Sequence, residues 1–402
     1  MLLINNMPTH HQLPLAQNLS QLLGDNFRFA CYSPVSSERT VIGWKDFGKD
    51  IPWMIRAWES EEARKEYKRW LVSSDVVIGF PENWQIIKER LLERKLFLLA
   101  TERPLKPSTS PLWGFPPQQR RKSWLRHVLS YYHGRWQRIQ DWQEIDSPYC
   151  HGLAIGAYCP WDFQRLGVFK DRMWTYGYFN DVPTNLHRVK IKQSVQILWA
   201  GRMLKWKRVD ILIKACDTLH QKKLDFHLML IGDGPENSSL IKLVTDLGLQ
   251  ELISFHPPVN PQEVRQAMRA ADIYVLPSSQ EEGWGVVIGE AMSEGCAVIA
   301  SADAGAAPLL IQHGKTGYLF PMDNVECLEK YLEILVANPE MVSRMGVEGW
   351  RFMMSTWSPE VAAERLLMLS EGLFGSGKMP RYITGPCSPV QLVKPGILAK
   401  EN

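Results

Sequence analysis

The sequence lacks the features that are typical of membrane-spanning and secreted proteins and of structural zinc sites. No apolar run in its 402 residues approaches the roughly 20 residues that a membrane-spanning helix needs. The first residues turn polar after Ile4, which is too early for a signal peptide. The seven cysteines are scattered without a CxxC pair, which argues against a disulfide framework and against a structural zinc site. We therefore expect a cytoplasmic protein with reduced thiols.

Two ligand-binding motifs are missing or incomplete. The chain contains no Asp-x-Asp pair, which is consistent with a site that needs no metal ion. The run from Gly232 to Asn237 begins like a dinucleotide fingerprint, but Asn237 stands where that fingerprint has a third Gly or Ala. The run therefore indicates a nucleotide ligand but not a nicotinamide cofactor.

The composition is that of an ordinary globular protein whose charge is unevenly distributed. Hydrophobic residues make up 45% and charged residues 22% of the chain, which is long enough for two or three domains. Residues 1–190 hold 26 Lys and Arg against 19 Asp and Glu, a net +7, and the remainder hold 20 against 24, a net −4, which gives the total of +3. The two halves are therefore expected to meet different partners.

Apolar residues alternate between strand and helix periods along most of the chain. From residue 197 to 300, short aliphatic runs are separated by amphipathic segments, which predicts a doubly wound parallel sheet. The first half begins with the same β-α-β rhythm. We predict an α/β protein with an N-terminal domain over residues 1–185, a C-terminal domain over 186–373, and a polar linker within 181–193. The tail over 374–402 lacks a periodic apolar pattern and is predicted to be poorly ordered.

One stretch of the second half combines acids and glycines at a predicted helix start. Residues 281 to 292 lie between two short apolar runs that are typical of buried parallel strands, which predicts a loop followed by a helix. Gly283 and Gly285 would let the backbone approach a ligand, and the first helical turn offers amides to an anion. Glu282 falls in the loop, and Glu290 falls among aliphatic residues, where a carboxylate needs a partner. The pattern predicts a ligand with hydroxyls and a phosphate, unless the acids only complement the helix dipole.

The spacing of Glu282 and Glu290, with seven residues between them, resembles the signature of retaining glycosyltransferases of family 4. The resemblance covers about residues 195–370 and implies the GT-B fold, in which two Rossmann-like domains face a cleft. It implies that Glu282 meets the donor sugar, that Glu290 holds the ribose of the nucleotide, and that a helix over 358–373 returns to the N-terminal domain. The backbone amides expected to help hold the sugar are those of Gly283, Trp284, Gly285 and Val286.

A basic loop, Gly201 to Arg208, follows the first predicted strand of the second half. It resembles the Gly-Arg and later Lys of the same family, which hold the donor diphosphate, and so implies this role for Gly201, Arg202 and Lys207. Two fixed cations beside the leaving group would stabilise the charge that develops as the glycosidic bond breaks, in place of a metal ion. We therefore expect Arg202, Lys207 and Glu282 to be catalytic. The resemblance implies no cofactor, because the nucleotide-diphosphate sugar is itself a substrate.

The first half offers fewer candidate residues. Glu102 and Arg103 would project beyond the carboxyl end of a predicted strand, where open parallel sheets bind ligands, unless they form only a surface ion pair. His10 and His11 follow the first strand and could orient a phosphate or an acceptor. Without a further ligand residue, however, the pattern favours two exposed loop histidines. We predict Glu102, Arg103 and His10 on the acceptor side.

The segment Gln118 to Gln140 carries six Lys and Arg, no acid, and four interleaved Trp and Tyr. Such a segment could form a basic amphipathic face that docks on an anionic membrane, where a lipid-linked acceptor would be presented. Alternatively, its aromatic side chains pack into the core of the N-terminal domain while the cations are solvated.

These features predict a cytoplasmic, retaining, metal-independent glycosyltransferase, specifically a hexosyltransferase, that contacts the inner face of a membrane peripherally. It would move a sugar from a nucleotide-diphosphate sugar to a glycan or lipid-linked acceptor, and no nucleic acid partner is expected. A weaker similarity to capsule and exopolysaccharide family members suggests cell-surface polysaccharide biosynthesis. Two alternatives remain: a GT-B nucleotide-sugar epimerase, and a non-catalytic partner subunit that binds a nucleotide sugar.

Overall fold

Two parallel sheets organise the chain in a computed structural model that describes residues 1–36, 48–105, 139–186, 194–376, 379 and 381–396. The N-terminal sheet has seven strands in the order β3-β2-β1-β4-β5-β6-β7. Its strands are β1 (Leu2–Asn5), β2 (Arg28–Cys31), β3 (Met54–Arg56), β4 (Val76–Gly79), β5 (Leu96–Thr101), β6 (Cys150–Ile155) and β7 (Met173–Tyr176). The helices described in this domain are α1 (Leu13–Leu23), α2 (Glu61–Ser73), α3 (Trp84–Leu92) and α4 (Cys159–Leu166).

The C-terminal sheet has six strands in the order β10-β9-β8-β11-β12-β13. Its strands are β8 (Val195–Ala200), β9 (Phe226–Ile231), β10 (Ile253–His256), β11 (Ile273–Leu276), β12 (Ala297–Ser301) and β13 (Gly317–Phe320). The helices are α5 (Val209–Gln221), α6 (Asn237–Asp246), α7 (Pro261–Ala270), α8 (Val286–Ser293), α9 (Ala307–Leu310), α10 (Val325–Val336), α11 (Pro339–Phe352) and α12 (Pro359–Glu371). Strands β11 and β12 are buried along their whole length, as expected for parallel strands covered by helices on both faces.

Both sheets reverse their strand order at one point, and that point sets where a ligand can bind. In the N-terminal sheet β1 lies between β2 and β4, and in the C-terminal sheet β8 lies between β9 and β11. Crossover connections leave a sheet in opposite directions at such a position, which opens a crevice beyond the carboxyl ends of the strands. The loops after β1, β8 and β11 are therefore the ones that build a site.

The hydrophobic core is continuous across the two domains. Buried residues of β1 and β7 belong to the same cluster as residues of β11, α8 and α12. Aromatic rings join the domains: Trp357 stacks on Phe179, with centroids 6.1 Å apart, and lies 5.7 Å from Trp284. Helix α12 also packs directly on α1 of the N-terminal domain. The crevices of the two sheets are thereby held against each other.

The chain end was predicted to be poorly ordered, and over residues 381–396 that prediction is wrong. The backbone amide of Cys387 donates to the carbonyl of Thr175 in β7, and the amide of Thr175 donates to the carbonyl of Ser388, each at 2.8 Å. Cys387 is fully buried. The segment satisfies backbone groups of the edge strand β7, which no apolar periodicity could have indicated.

Two predicted segments fall mostly on residues that the structure does not describe. The basic segment Gln118 to Gln140 lies outside the described residues except at its last two positions, and the linker within 181–193 lies outside them from residue 187 onward. Contact with an anionic membrane therefore stays a prediction. Within the described residues, no helix is long and apolar enough to cross a membrane.

Candidate active site

The basic loop and Glu282, both predicted from the sequence, meet at the strand-order reversal of the C-terminal sheet. Strand β8 ends at Ala200, directly before the basic loop, and β11 ends at Leu276, shortly before the acidic loop. Because β8 and β11 are neighbouring parallel strands, both loops leave the same edge of the sheet. Residues about 75 positions apart in the sequence are brought into contact at this edge.

Lys207 and Glu282 form the central ion pair of this edge. The Lys207 ammonium donates to the Glu282 carboxylate at 2.5 Å and lies 4.4 Å from the centroid of the Trp206 ring. Both charged side chains are mostly buried, with 16% and 11% of their surface exposed. Arg202, by contrast, is exposed and has no ion pair among the described residues, so its guanidinium is available to an anionic ligand.

The last residue of the loop before α8 adopts a backbone conformation that strongly favours glycine. Gly285 caps the helix in the left-handed region, with φ of 86°. A Cβ there would also lie 2.9 Å from the Cδ2 atom of Leu276. Helix α8 then begins at Val286, directly after the loop that carries Glu282, and the first amides of a helix lack partners within the helix itself. This start of a helix, next to the loop in which Glu282 pairs with Lys207, can hold a phosphate or sugar hydroxyls.

The side chain of Trp284 has a structural position between the domains. It is 2% exposed and makes an edge contact with Tyr178, with centroids 6.2 Å apart. Gly177 permits this contact, because a Cβ at that position would lie 2.2 Å from the indole ring. Only the backbone of Trp284 therefore remains for the sugar contact that the sequence predicted.

Glu290 is the buried carboxylate of the site. Its side chain is 8% exposed, and burial raises its pKa to about 7, against the opposing effect of the Arg265 charge. One carboxylate oxygen lies 3.8 Å from Nδ1 of His11 and 4.0 Å from Nε2 of His10. The structure thus corrects the interpretation of two exposed loop histidines, since His11 is only 12% exposed. No pattern in the sequence indicates this contact, because 279 positions separate His11 from Glu290.

A cavity of about 320 Å³ lies beyond the carboxyl ends of β1, β4 and β5 in the N-terminal domain. Asn5, Asn6, Tyr32 and Glu102 contribute polar groups to its lining. The hydroxyl of Tyr178 donates to the Glu102 carboxylate at 3.2 Å, which fixes that acid at the cavity wall. The cavity can accept hydroxylated ligands through these groups.

Arg103, which the sequence grouped with Glu102, has a different environment. Its guanidinium donates twice to Asp162 at 3.2 Å, and Asp162 is fully buried. The amide of Leu105 donates to the same carboxylate. Arg103 therefore does not line the cavity, and its predicted place on the acceptor side is corrected to a buried pair that anchors the loop after β5. The alternative of a surface pair with Glu102 is also wrong.

Backbone contacts hold the site loops of the C-terminal domain against the N-terminal domain. The amide of Ala157 donates to the carbonyl of Gly305 at 2.8 Å, and the hydroxyl of Tyr158 donates to the carbonyl of Ala302. Gly305 is packed so closely that a Cβ there would lie 1.9 Å from the carbonyl oxygen of Gly283. The loop with Glu282 thus depends on a glycine 23 positions later.

Replacing Gly305 with alanine is expected to destabilise the protein by about 1–3 kcal/mol, because the backbone of Gly283 must move to admit the methyl group. Urea unfolding would measure the loss. The matched control is Gly349→Ala within α11, where the nearest atoms to a Cβ lie 3.6 Å away and helix propensity favours alanine. Equal unfolding midpoints for the two variants would contradict the close packing of Gly305.

Known proteins resemble the C-terminal half of the chain most clearly. Residues 185–350 match the family model described as glycosyl transferases group 1. An uncharacterized glycosyltransferase of Haemophilus influenzae is 32% identical over 153 residues, which cover 38% of this chain and 42% of that protein. A GDP-mannose-dependent alpha-(1-6)-phosphatidylinositol monomannoside mannosyltransferase of Mycolicibacterium smegmatis is 28% identical over 182 residues, which cover 44% of this chain and 47% of that protein. The matched region spans less than half the length of either relative.

Solved structures that resemble this chain over both domains are known. The crystal structure of the Anabaena protein HepE in complex with UDP has a TM-score of 0.62 and 16% identity, and the match covers 91% of this chain and 98% of that chain. At this identity the likeness concerns the fold alone. The predicted fold, GT-B with two Rossmann-like parallel-sheet domains, is confirmed.

Proposed function

Because residues 185–350 match the glycosyl transferases group 1 family, we propose that this chain is a retaining hexosyltransferase that uses a nucleotide-diphosphate sugar. The observation that carries the proposal is the Lys207–Glu282 pair at the strand-order reversal, with Arg202 exposed in the same loop as Lys207. Two cations and a carboxylate at the start of a helix suit a ligand that combines a diphosphate with sugar hydroxyls. The acceptor that we propose is a glycan or lipid-linked glycan.

Each of the predicted residues has a distinct task in this proposal. Glu290 accepts hydrogen bonds from the ribose hydroxyls, and Glu282, with the amides from Gly283 to Val286, holds the sugar. Arg202 and Lys207 bind the diphosphate and stabilise the negative charge that develops on it as the glycosidic bond breaks. As the family resemblance implies, the leaving phosphate itself takes the acceptor proton on the same face of the sugar.

The acceptor would enter from the N-terminal domain. The cavity beyond β1, β4 and β5 offers Asn5, Asn6, Tyr32 and Glu102, which can exchange hydrogen bonds with sugar hydroxyls. A ring could also pack on the aromatic faces of this wall. Cell-surface polysaccharide biosynthesis, the pathway that we propose, rests on the weaker sequence resemblance to capsule and exopolysaccharide enzymes.

A panel of UDP-, GDP- and ADP-sugars with product analysis tests the proposal. The mannosyltransferase relative is GDP-mannose-dependent and the structural neighbour HepE has been crystallised with UDP-glucose, so both bases belong in the panel. Transfer to an added glycan with retained anomeric configuration supports the proposal. An epimerised donor would identify the epimerase alternative, and binding without any product would identify the non-catalytic subunit.

Transfer activity is expected to survive exhaustive treatment with EDTA, because the positive charges offered to the diphosphate are those of Arg202 and Lys207. The rate should be compared before chelation, after chelation, and after addition of Mg²⁺ or Mn²⁺. Loss of transfer with EDTA and its recovery with Mg²⁺ or Mn²⁺ would contradict the leaving-group role of the two cations.

A further inference from the structure

Three side chains with metal-binding atoms converge from opposite domains. His10 and His11 come from the loop after β1, and Glu290 comes from α8. One ligand atom from each residue lies within 4.8 Å of the other two. The two histidine rings are adjacent, with centroids 3.7 Å apart and planes inclined by 54°, so their nitrogens can converge on one point.

We propose that His10, His11 and Glu290 form a binding site for a divalent transition-metal ion of the Zn²⁺ type. Imidazole nitrogens and a carboxylate oxygen are ordinary zinc ligands, and a set of two histidines and one glutamate leaves a fourth position for water. The ion would bridge the N-terminal and C-terminal domains, since its ligands come from both.

The distances suit such a site after a small adjustment. Metal–ligand bonds of about 2.0–2.1 Å separate two ligands by about 3.4 Å in a tetrahedral site and by at most about 4.2 Å. The Glu290 oxygen lies 3.8 Å from His11 and 4.0 Å from His10, within that span and beyond hydrogen-bond length. The two Glu290–histidine distances exceed the tetrahedral spacing by about 0.4 and 0.6 Å. The ligand nitrogens of the two histidines lie within 4.8 Å of each other, and rotation of these loop side chains can bring them to the same spacing.

The surrounding charges leave room for a cation. The nearest arginines of α7 are engaged by a different acid: Arg265 and Arg269 pair with Glu294 at 2.6 and 2.9 Å. Glu290 is buried beside the histidines, and a buried carboxylate is stabilised by a cation in direct contact. Among the described residues, the ion pairs of Arg265 and Arg269 are with Glu294 and not with Glu290, so the metal ion would supply the positive charge in contact with the Glu290 carboxylate.

The metal site would act against the proposed transferase function rather than for it. If Glu290 holds the ribose, which rests on that proposed function, then a bound Zn²⁺ ion and the nucleotide compete for the same carboxylate. The ion would also hold the two domains together across the cleft. Zn²⁺ is thus expected to weaken donor binding, while the diphosphate site at Arg202 and Lys207 needs no metal.

Isothermal titration of the chelator-treated full chain with ZnCl₂ tests the site. We expect one Zn²⁺ per chain in a binding step that weakens at least tenfold in His10→Ala, in His11→Ala and in Glu290→Gln. The control is His220→Ala, an exposed histidine at the end of α5, which should leave this step unchanged. The two histidine variants lie in a loop, so they keep the test valid if Glu290→Gln fails to fold.

A second titration separates the metal site from the transferase proposal. UDP- and GDP-sugars are titrated with and without ZnCl₂, and Zn²⁺ should lower their affinity in the wild type but not in the double variant His10→Ala/His11→Ala. Absence of the Zn²⁺ step, or a step that His10→Ala, His11→Ala and Glu290→Gln all retain, would overturn the metal site independently of the result with the nucleotide sugars. A triad-dependent Zn²⁺ step in a chain that binds no nucleotide sugar would support the site and refute the proposed function.

Discussion

Replacing Lys207 with alanine lowers kcat by about a hundredfold or more, the usual loss when one fixed donor to a developing oxyanion is removed. The ammonium is held by Glu282 at 2.5 Å and by the face of Trp206, so it is positioned before the substrate arrives. Arg202→Ala should give a loss of similar size, because both cations would meet the same diphosphate. Steady-state kinetics with the preferred donor measures both effects.

The matched control for this loss is Lys205→Ala. Lys205 lies in the same short turn, is exposed, and has no ion pair among the described residues. Lys207→Ala also leaves the mostly buried Glu282 carboxylate without its partner, so a loss of thermal stability is expected as well, and the kinetics are compared at a temperature where all variants are folded. If Lys205→Ala loses as much activity as Lys207→Ala, the effect comes from the net charge of the loop and the assignment of Lys207 is wrong.

Replacing Glu290 with alanine weakens binding of the donor by about tenfold to a hundredfold. Each hydrogen bond from a ribose hydroxyl to a charged carboxylate contributes about 1.5–3 kcal/mol, and about 1.4 kcal/mol corresponds to a factor of ten in affinity. Titration calorimetry in a metal-free buffer measures the change without interference from a cation at the histidines. Glu290→Gln, which keeps an oxygen acceptor but loses the charge, should bind with intermediate affinity.

Glu281→Ala provides the control for position, because it removes a carboxylate from the same loop. Glu281 is half-buried and accepts a hydrogen bond from the hydroxyl of Ser279. Its loss should change donor affinity little, since no role in ribose or sugar binding is assigned to it. Equal losses in Glu281→Ala and Glu290→Ala would contradict the assignment of the two glutamates.

The sequence by itself determined the elements and the local chemistry of the C-terminal domain. The short apolar run before residue 281 was predicted to be a buried strand and is β11 (Ile273–Leu276), and the β-α-β rhythm predicted at the start of the chain is that of β1, α1 and β2. Such elements can be predicted because a buried parallel strand and an amphipathic helix impose their own apolar periods on the chain. The family resemblance assigned the basic loop and Glu282 to the same donor, and the structure brings Lys207 and Glu282 into contact because the neighbouring parallel strands β8 and β11 end at one edge.

Only the tertiary structure decided which distant residues meet. The contact of His10 and His11 with Glu290 depends on how the two sheets face each other, and the burial of Arg103 against Asp162 depends on how α4 packs on β5. The order of residues 381–396 depends likewise on the free edge of β7. Periodicity and spacing act over a few residues, whereas these contacts come from the relative placement of whole elements. The cavity proposed for the acceptor and the candidate cation site could therefore be identified only from the tertiary structure.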